Sequence, residues 1–250
     1  MRYVLSVAYD GTHFNGWQVQ SNGRTVQGEL NEAVYKAFGE WAVVTASGRT
    51  DAGVHALNQV CHVDLSADIA GEKLADALNC RLPQDVSVLQ SAVAPDGFDA
   101  NRSAKKKTYC YNMYFAPRRN PLCDRFAVWI KGKADINKMK EAAAYFTGEH
   151  DFAAYCASGS QVKTTVRTVY SVDVISEGGF VKIEVCGNGF LYNMVRTLVG
   201  TVLWYSSGKL GAEDILASLN ECDRNRVGKT MPAKGLVLKS VDYGTDLFGL

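Results

Sequence analysis

Residues 164–187 constrain the fold most, because they carry the pattern of a long β-hairpin. Val181, Ile183 and Val185 alternate with polar residues, and Gly178-Gly179 stands where the chain would reverse. Alternation at every second position places one side of a strand in a core, and a two-residue glycine turn joins antiparallel neighbours. The segment therefore predicts an antiparallel sheet.

Strands and helices are predicted in both halves of the 250-residue chain. Alternating or apolar runs predict strands at residues 2–9, 42–45, 57–65, 105–115 and 235–244. Helical periodicity, N-caps at Thr25 and Asp135, and terminal glycines at Gly39, Gly148 and Gly208 predict helices at residues 26–38, 72–79, 136–147 and 190–207. The result is an α+β fold, in which two similar halves, residues 1–104 and 105–250, share a mostly antiparallel sheet.

Composition argues against secretion, membrane insertion and metal binding. No run of 18 apolar residues exists, and the N-terminus turns polar too early for a signal peptide. The 7 cysteines are scattered and form no CxxC, and the 4 histidines lack the spacing of metal ligands. We therefore expect a cytoplasmic protein with reduced thiols, no membrane segment and no metal.

The charges are balanced overall but clustered locally. Net charge is +1, yet residues 101–121 carry six cations and no acid. The stretch "KKKTYCY" in this region interleaves lysines with tyrosines, a combination that suits RNA because cations bind phosphates and rings stack on bases. The equally simple alternative is a strand with a solvated lysine end and tyrosines in the core.

The loop "SGRTDAGVH", residues 47–55, is the leading candidate for chemistry. Asp51 lies there between glycines, and a neighbouring arginine such as Arg49 would keep its carboxylate ionised and able to act as a nucleophile or base. The alternative is a solvated turn aspartate. Arg196 lies in the apolar stretch "FLYNMVRTLVG", so it needs an acidic partner, for which Asp51 is a candidate, or must extend to the surface.

Three other features carry less weight. His55 and His62 are expected to pack or form hydrogen bonds in structural roles. The Gly187-Asn188-Gly189 stretch lacks the third glycine of a dinucleotide-binding loop.

Six motifs together resemble the TruA family of tRNA pseudouridine synthases, in the order in which that family carries them. They are "YDGTHFNGWQ" at 9–18, "TVQGEL" at 25–30, "SGRTDAGVHA" at 47–56, "KKTYCY" at 106–111, "GEHDF" at 148–152 and "GNGFLYNMVRTLVGT" at 187–201. The match departs from the family at Cys110, a position at which relatives often carry arginine. A cysteine there would remove one RNA contact.

The resemblance implies the pseudouridine synthase fold, with a basic cleft between two α/β halves. It implies an isomerase that needs no cofactor and converts uridine to pseudouridine in the tRNA anticodon stem-loop, at positions 38, 39 and 40. It also implies a homodimer with tRNA lying across both subunits.

The family's site residues map onto four positions of this chain. The resemblance makes Asp51 the catalytic carboxylate and Tyr109 the ring that packs on the target base. It makes Arg196 the partner that holds Asp51, and Arg49 the residue that approaches the RNA and helps hold the base out of the stack. Three roles are compatible with Asp51: attack on the sugar, attack on the base, or removal of a ribose proton.

Two other functions compete with this one. A non-catalytic RNA-binding module would use the Asp51 and Arg196 pair only structurally. A carboxylate glycosidase would need a second, acid-tuned carboxylate, for which Glu149 and Asp151 are the nearest candidates.

Overall fold

The computed structural model describes residues 1–159 and 162–249. The chain forms two compact units, one made of Met1–Lys106 with Leu238–Leu250 and the other of Lys107–Val237. The strands are β1 (Arg2–Tyr9), β2 (Thr45–Ala46), β3 (His55–Asp64), β4 (Val86–Val93), β5 (Lys106–Ala116), β6 (Val128–Lys131), β7 (Gly148–Asp151), β8 (Val166–Glu177), β9 (Phe180–Gly187) and β10 (Leu236–Asp242). The helices are α1 (Val26–Phe38), α2 (Leu74–Asn79), α3 (Ile136–Ala144), α4 (Met194–Ser206) and α5 (Ala212–Asn220).

The first unit is built on β1, which pairs antiparallel with β3 on one side and with β4 on the other. β2 pairs antiparallel with β3 at Cys61 and His62, and β10 lies beside β3 in the strand order. α1 begins at Thr25, whose side chain accepts a hydrogen bond from the Gly28 amide, and ends at Gly39 in the left-handed conformation. Both caps are confirmed as predicted.

Strand β1 is buried on both faces, whereas its alternating pattern predicts one buried face. Tyr3 and Leu5 are fully buried on the first face. On the second face Val4 packs with Phe98 and Tyr243, and the following C-terminal residues cover this cluster. The second layer comes from distant parts of the chain, which is why periodicity within β1 does not reveal it.

The C-terminal segment therefore packs with the first unit, which differs from the predicted division at residues 104 and 105. The predicted second half, 105–250, includes residues 238–250, but in the structure these belong with residues 1–106. The physical reason is the cluster around Tyr243, whose hydroxyl donates a 2.6 Å hydrogen bond to the Ala100 carbonyl. The first unit is thus discontinuous in sequence.

The second unit contains the predicted hairpin. β8 and β9 pair antiparallel, and the turn residues Gly178 and Gly179 have φ angles of 57° and 84°. Positive φ at both positions is what a type I′ turn requires, and glycine adopts it without steric cost. β5 pairs antiparallel with β9 and parallel with β6, and β7 pairs antiparallel with β8. The α+β class with mostly antiparallel pairing is confirmed.

Several boundaries differ from the sequence prediction. α3 ends at Ala144, and Gly148 is not its terminal glycine but the first residue of β7, with φ 120°. α4 begins at Met194 rather than near residue 190, because Asn193 has φ 63° and cannot continue a helix. The predicted strand at 42–45 is reduced to β2. The elements β4, β6, β7 and α5 are absent from the prediction.

Two features are absent from the described part of the chain. No helix within residues 1–159 and 162–249 is long and apolar enough to cross a membrane. Over the same residues no group of three or more His, Cys, Asp or Glu side chains is placed to hold a metal ion.

We expect Tyr243→Phe to lower the free energy of unfolding by about 1–2 kcal/mol, because the Ala100 carbonyl loses its buried donor. Urea unfolding measures this difference. The matched control is Tyr35→Phe, which removes an equivalent hydroxyl from a ring that is 43% exposed. Equal stability of the two variants would contradict the importance of the Tyr243 contact.

Candidate active site

The loop between β2 and β3 is fixed at its beginning by hydrogen bonds around Ser47, which is fully buried. The Ser47 amide donates to the Val60 carbonyl at 2.8 Å, and its hydroxyl donates to the Gln59 side chain at 2.7 Å. Gln59 in turn donates to the Gly48 carbonyl at 2.9 Å. The Asn101 side chain donates to the Ser47 carbonyl. These contacts hold the loop to β3 and to the segment after β4.

The other end of the loop lies against residues 11–17. The Trp17 amide donates to the Thr50 carbonyl at 3.0 Å, and the Gly53 amide donates to the Phe14 carbonyl at 3.2 Å. The Thr50 and Tyr9 hydroxyls are hydrogen-bonded at 2.8 Å, and burial raises the pKa of Tyr9. The backbone on both sides of Asp51 is therefore held by the preceding loop.

Two glycines of the "YDGTHFNGW" stretch make this contact possible. A Cβ at Gly16 would lie 2.7 Å from the Thr50 carbonyl oxygen, and Gly16 also has a φ of 90°. A Cβ at Gly11 would lie 2.0 Å from the Val54 carbonyl oxygen. Both distances are too short for any side chain, so the close approach of the two loops requires glycine.

Asp51 is half-buried, and its carbonyl accepts a hydrogen bond from the Val54 amide at 3.1 Å. Arg49 is exposed, and across residues 1–159 and 162–249 it forms no ion pair with Asp51 or another carboxylate. The loop is therefore not a turn closed by an ion pair between Arg49 and Asp51. The loop presents Arg49 outward and keeps Asp51 partly sheltered.

The two histidines near this loop have the structural roles that we predicted. His55 Nδ1 accepts the Gly11 amide at 3.0 Å, and His62 Nδ1 accepts the Ala100 amide at 3.1 Å. Burial lowers the pKa of His62, which favours its neutral form. Both rings fix the backbone around the loop.

In the second unit, Tyr109 lies on β5 opposite Val185 and is only 9% exposed. Its ring meets Phe190 edge to face, with centroids 5.3 Å apart and an angle of 89°. A Cβ at Gly187 would lie 3.1 Å from the Phe190 ring, so the glycine leaves room for that ring. Phe190 has no predicted role of its own, although an aromatic residue directly after Gly-Asn-Gly could have indicated one.

Arg196 lies in the first turn of α4 and is half-buried rather than extended to the surface. Its Nε donates to the Met231 carbonyl at 2.6 Å, and one Nη donates to the Asn193 side chain at 2.5 Å. The Met231 amide donates back to the Arg196 carbonyl at 3.2 Å. These bonds fix the plane of the guanidinium, which has five N–H donors in total.

The four predicted site residues are divided between the units. Asp51 and Arg49 share a loop of the first unit, and Tyr109 and Arg196 lie in the second. Tyr111, two residues from Tyr109, is fully buried, and burial raises its pKa while the charge of Arg196 opposes that rise. A carboxylate on a fixed loop, tyrosines and clustered cations are residue types that enzymes modifying a base in RNA use.

Comparison with known proteins agrees with that class. The chain matches the family model described as tRNA pseudouridine synthase at residues 5–100 and 142–244. It is 42% identical over 240 residues to tRNA pseudouridine synthase A of Ruminiclostridium cellulolyticum, with 96% of this chain and 98% of that protein covered. It is 44% identical over 248 residues to tRNA pseudouridine synthase A of Shouchella clausii, with 99% and 95% covered. The chain belongs to the tRNA pseudouridine synthase family.

Among solved structures, the chain is similar to one in the "Crystal Structure of a Cbf5-Nop10-Gar1 Complex". The TM-score is 0.38 at 17% identity, with 94% of this chain and 48% of that chain covered. A similarity at this level carries no further conclusion. Family membership establishes the activity: the protein is an isomerase that converts uridine to pseudouridine in tRNA.

We expect Gly16→Ala to reduce the rate of pseudouridine formation at least about tenfold, because the new Cβ would displace the backbone at Thr50, next to Asp51. Gly39→Ala is the matched control, since Gly39 has a φ of 72° but no atom within 4 Å of a Cβ. Both variants should lose about 1 kcal/mol or more of stability from backbone strain. Single-turnover rates and urea unfolding separate the two effects, and equal rates would contradict the close-approach argument.

Proposed function

We propose that this enzyme isomerises uridines 38, 39 and 40 of the tRNA anticodon stem-loop, with Asp51 as the catalytic carboxylate. The observation that carries the assignment is the fixed loop around Asp51, held from both sides by backbone hydrogen bonds and by close contacts of Gly11 and Gly16. A solvated turn aspartate needs no such support. A catalytic group does, because small displacements from productive geometry cost large factors in rate.

The reaction balances within the nucleotide. The bond between ribose C1′ and N1 of uracil breaks, the base rotates, and a bond forms between C1′ and C5. The proton on C5 is lost and N1 gains one, so no oxidant or reductant is consumed. An ionised carboxylate serves each of the three possible roles of Asp51, and an arginine partner favours the ionised form.

We propose Arg196 as that partner. The bonds from its Nε to Met231 and from one Nη to Asn193 orient the guanidinium. An arginine fork matches the geometry of a carboxylate, so Arg196 would both hold Asp51 in place and keep it charged.

Tyr109 and Arg49 are proposed to hold the base outside its helix. Tyr109 is held edge-on by Phe190, so one aromatic face is kept in a fixed plane for stacking. Arg49 extends from the Asp51 loop and is exposed, as a residue that enters RNA must be. Stacking and charge contacts would offset the few kcal/mol that extrusion of a base costs.

The exposed cations of residues 101–121 are proposed to bind the tRNA backbone. Arg102, Lys105, Lys106, Arg118 and Arg119 are all exposed, and Arg119 also pairs with Asp124 at 3.1 Å. We further propose a cytoplasmic homodimer with tRNA across both subunits. All seven cysteines are free thiols, in keeping with a reducing compartment.

We expect Asp51→Asn to abolish release of tritium from tRNA transcript labelled at C5 of its uridines, since a new bond at C5 must expel that hydrogen. The loss should be at least about a thousandfold, as for removal of other central catalytic groups. Asp68→Asn is the matched control, because Asp68 is an exposed carboxylate of the same unit. Chemical mapping of pseudouridine by primer extension locates the modified positions, and a metal chelator is present throughout.

Other outcomes identify the competing functions. Tight tRNA binding without tritium release by wild type would indicate a binding module. Release of free uracil would indicate a glycosidase. Pseudouridine outside positions 38, 39 and 40 would contradict the proposed site on the tRNA while leaving the role of Asp51 intact.

We expect Arg196→Met to reduce both the rate and the stability, the latter by about 1–3 kcal/mol, because two charge-assisted hydrogen bonds are lost. If Arg196 also pairs with Asp51, the double variant Asp51→Asn with Arg196→Met will be destabilised by at least about 1 kcal/mol less than the sum of the single variants. Additive losses, or a fully stable and active Arg196→Met, would refute the pairing.

A further inference from the structure

One face of the strands β5, β9 and β8 brings two cations next to Tyr109. Lys107 lies two residues before Tyr109 on β5, so both side chains point to the same face. Lys107 pairs with Gly187 of β9, and Gly187 pairs with Val169 of β8. Arg167 lies two residues before Val169 and therefore shares that face as well.

Arg167 is held in place by backbone groups. One Nη donates to the Thr164 carbonyl at 2.9 Å and to the Val166 carbonyl at 2.6 Å. Its side chain packs on Gly189: a Cβ atom added to Gly189 would lie 3.8 Å from the Nε of Arg167. Within residues 1–159 and 162–249, no carboxylate lies within ion-pair distance of Arg167. The guanidinium is thus oriented by neutral carbonyls, with its charge uncompensated by an acid in this part of the structure.

Lys107 and Arg167 influence each other electrostatically. The pKa of Lys107 is lowered to about 8, mainly by burial and secondly by the charge of Arg167. Burial also lowers the pKa of Arg167. Two half-buried cations at short range repel each other, and an anion placed between them would relieve that repulsion.

We propose that Arg167 and Lys107 form a phosphate-binding subsite, which holds the RNA backbone phosphate adjacent to the nucleotide whose base lies on Tyr109. This inference rests on the proposed role of Tyr109 as the ring beneath the target base. Positions 107 and 109 are about 7 Å apart along the strand, a separation comparable to one nucleotide of extended chain.

The chemistry of the two side chains suits a phosphodiester. An arginine with one Nη tied to carbonyls still offers Nε and the other Nη as a fork, and forks bind two oxygens of one phosphate. An ammonium group adds a compact point charge from the neighbouring strand. Holding the backbone here would fix the flipped nucleotide by its phosphate while its ring stays able to rotate.

The first experiment measures tRNA binding as a function of salt for wild type, Arg167→Gln and Lys182→Gln. Lys182 is the matched control, because it is an exposed cation of β9 on the opposite face from Gly187. We expect Arg167→Gln to raise the Kd about tenfold at 0.1 M salt. It should also flatten the slope of log K against log salt by about 0.7–0.9, the effect of one lost phosphate contact. Lys182→Gln should match wild type in both.

The second experiment changes the RNA and compares its binding to wild type and to Arg167→Gln. A neutral methylphosphonate replaces the phosphate on either side of the uridine that wild type converts. One of the two positions should weaken binding to wild type about tenfold and leave binding to Arg167→Gln unchanged. A wild-type salt slope in Arg167→Gln, or equal sensitivity of both proteins to both substitutions, would overturn the subsite.

Asp51→Asn separates this inference from the proposed function. It should bind tRNA with the wild-type salt slope, since it retains both cations. If wild type releases no tritium, the proposed function fails, while the salt slopes still report on the subsite. If tritium is released and the slopes are equal, only the subsite fails.

Discussion

The close approach of two backbone segments, residues 11–17 and 50–54, is the constraint on which the site depends. Gly16 and Gly11 meet the carbonyl groups of Thr50 and Val54 at distances that no side chain permits. The approach lets Trp17 and Gly53 exchange hydrogen bonds with the opposite segment. Two irregular loops thereby support each other, and the backbone at Asp51, which lies on one of them, gains a fixed position.

The two units hold their polar side chains by different means. In the first unit, Asp51 lies on a loop that is fixed by backbone contacts. In the second unit, Arg196 and Arg167 are oriented by carbonyl oxygens at the start of a helix and of a strand. Such neutral acceptors orient a guanidinium without neutralising its charge.

Sequence reasoning succeeded where the signal is local. The hairpin and the caps of α1 follow from neighbouring residues and are confirmed. The role of Asp51 follows only from the family motifs and stays a prediction. It failed where a property arises from distant contacts: the second buried face of β1, the membership of the C-terminal segment, and the proximity of Arg167 to Lys107 in the folded sheet. The polar strand β7 cannot be predicted from local pattern, because "GEHD" has no apolar alternation.

The Tyr243 contact sets an order on protein synthesis. Its hydroxyl bonds to the Ala100 carbonyl across a sequence separation of 143 residues. The ribosome must therefore make the whole second unit, residues 107–237, before the C-terminal segment that completes the first unit. Until then a nascent polypeptide carries the Asp51 loop in a first unit that lacks this part of its core.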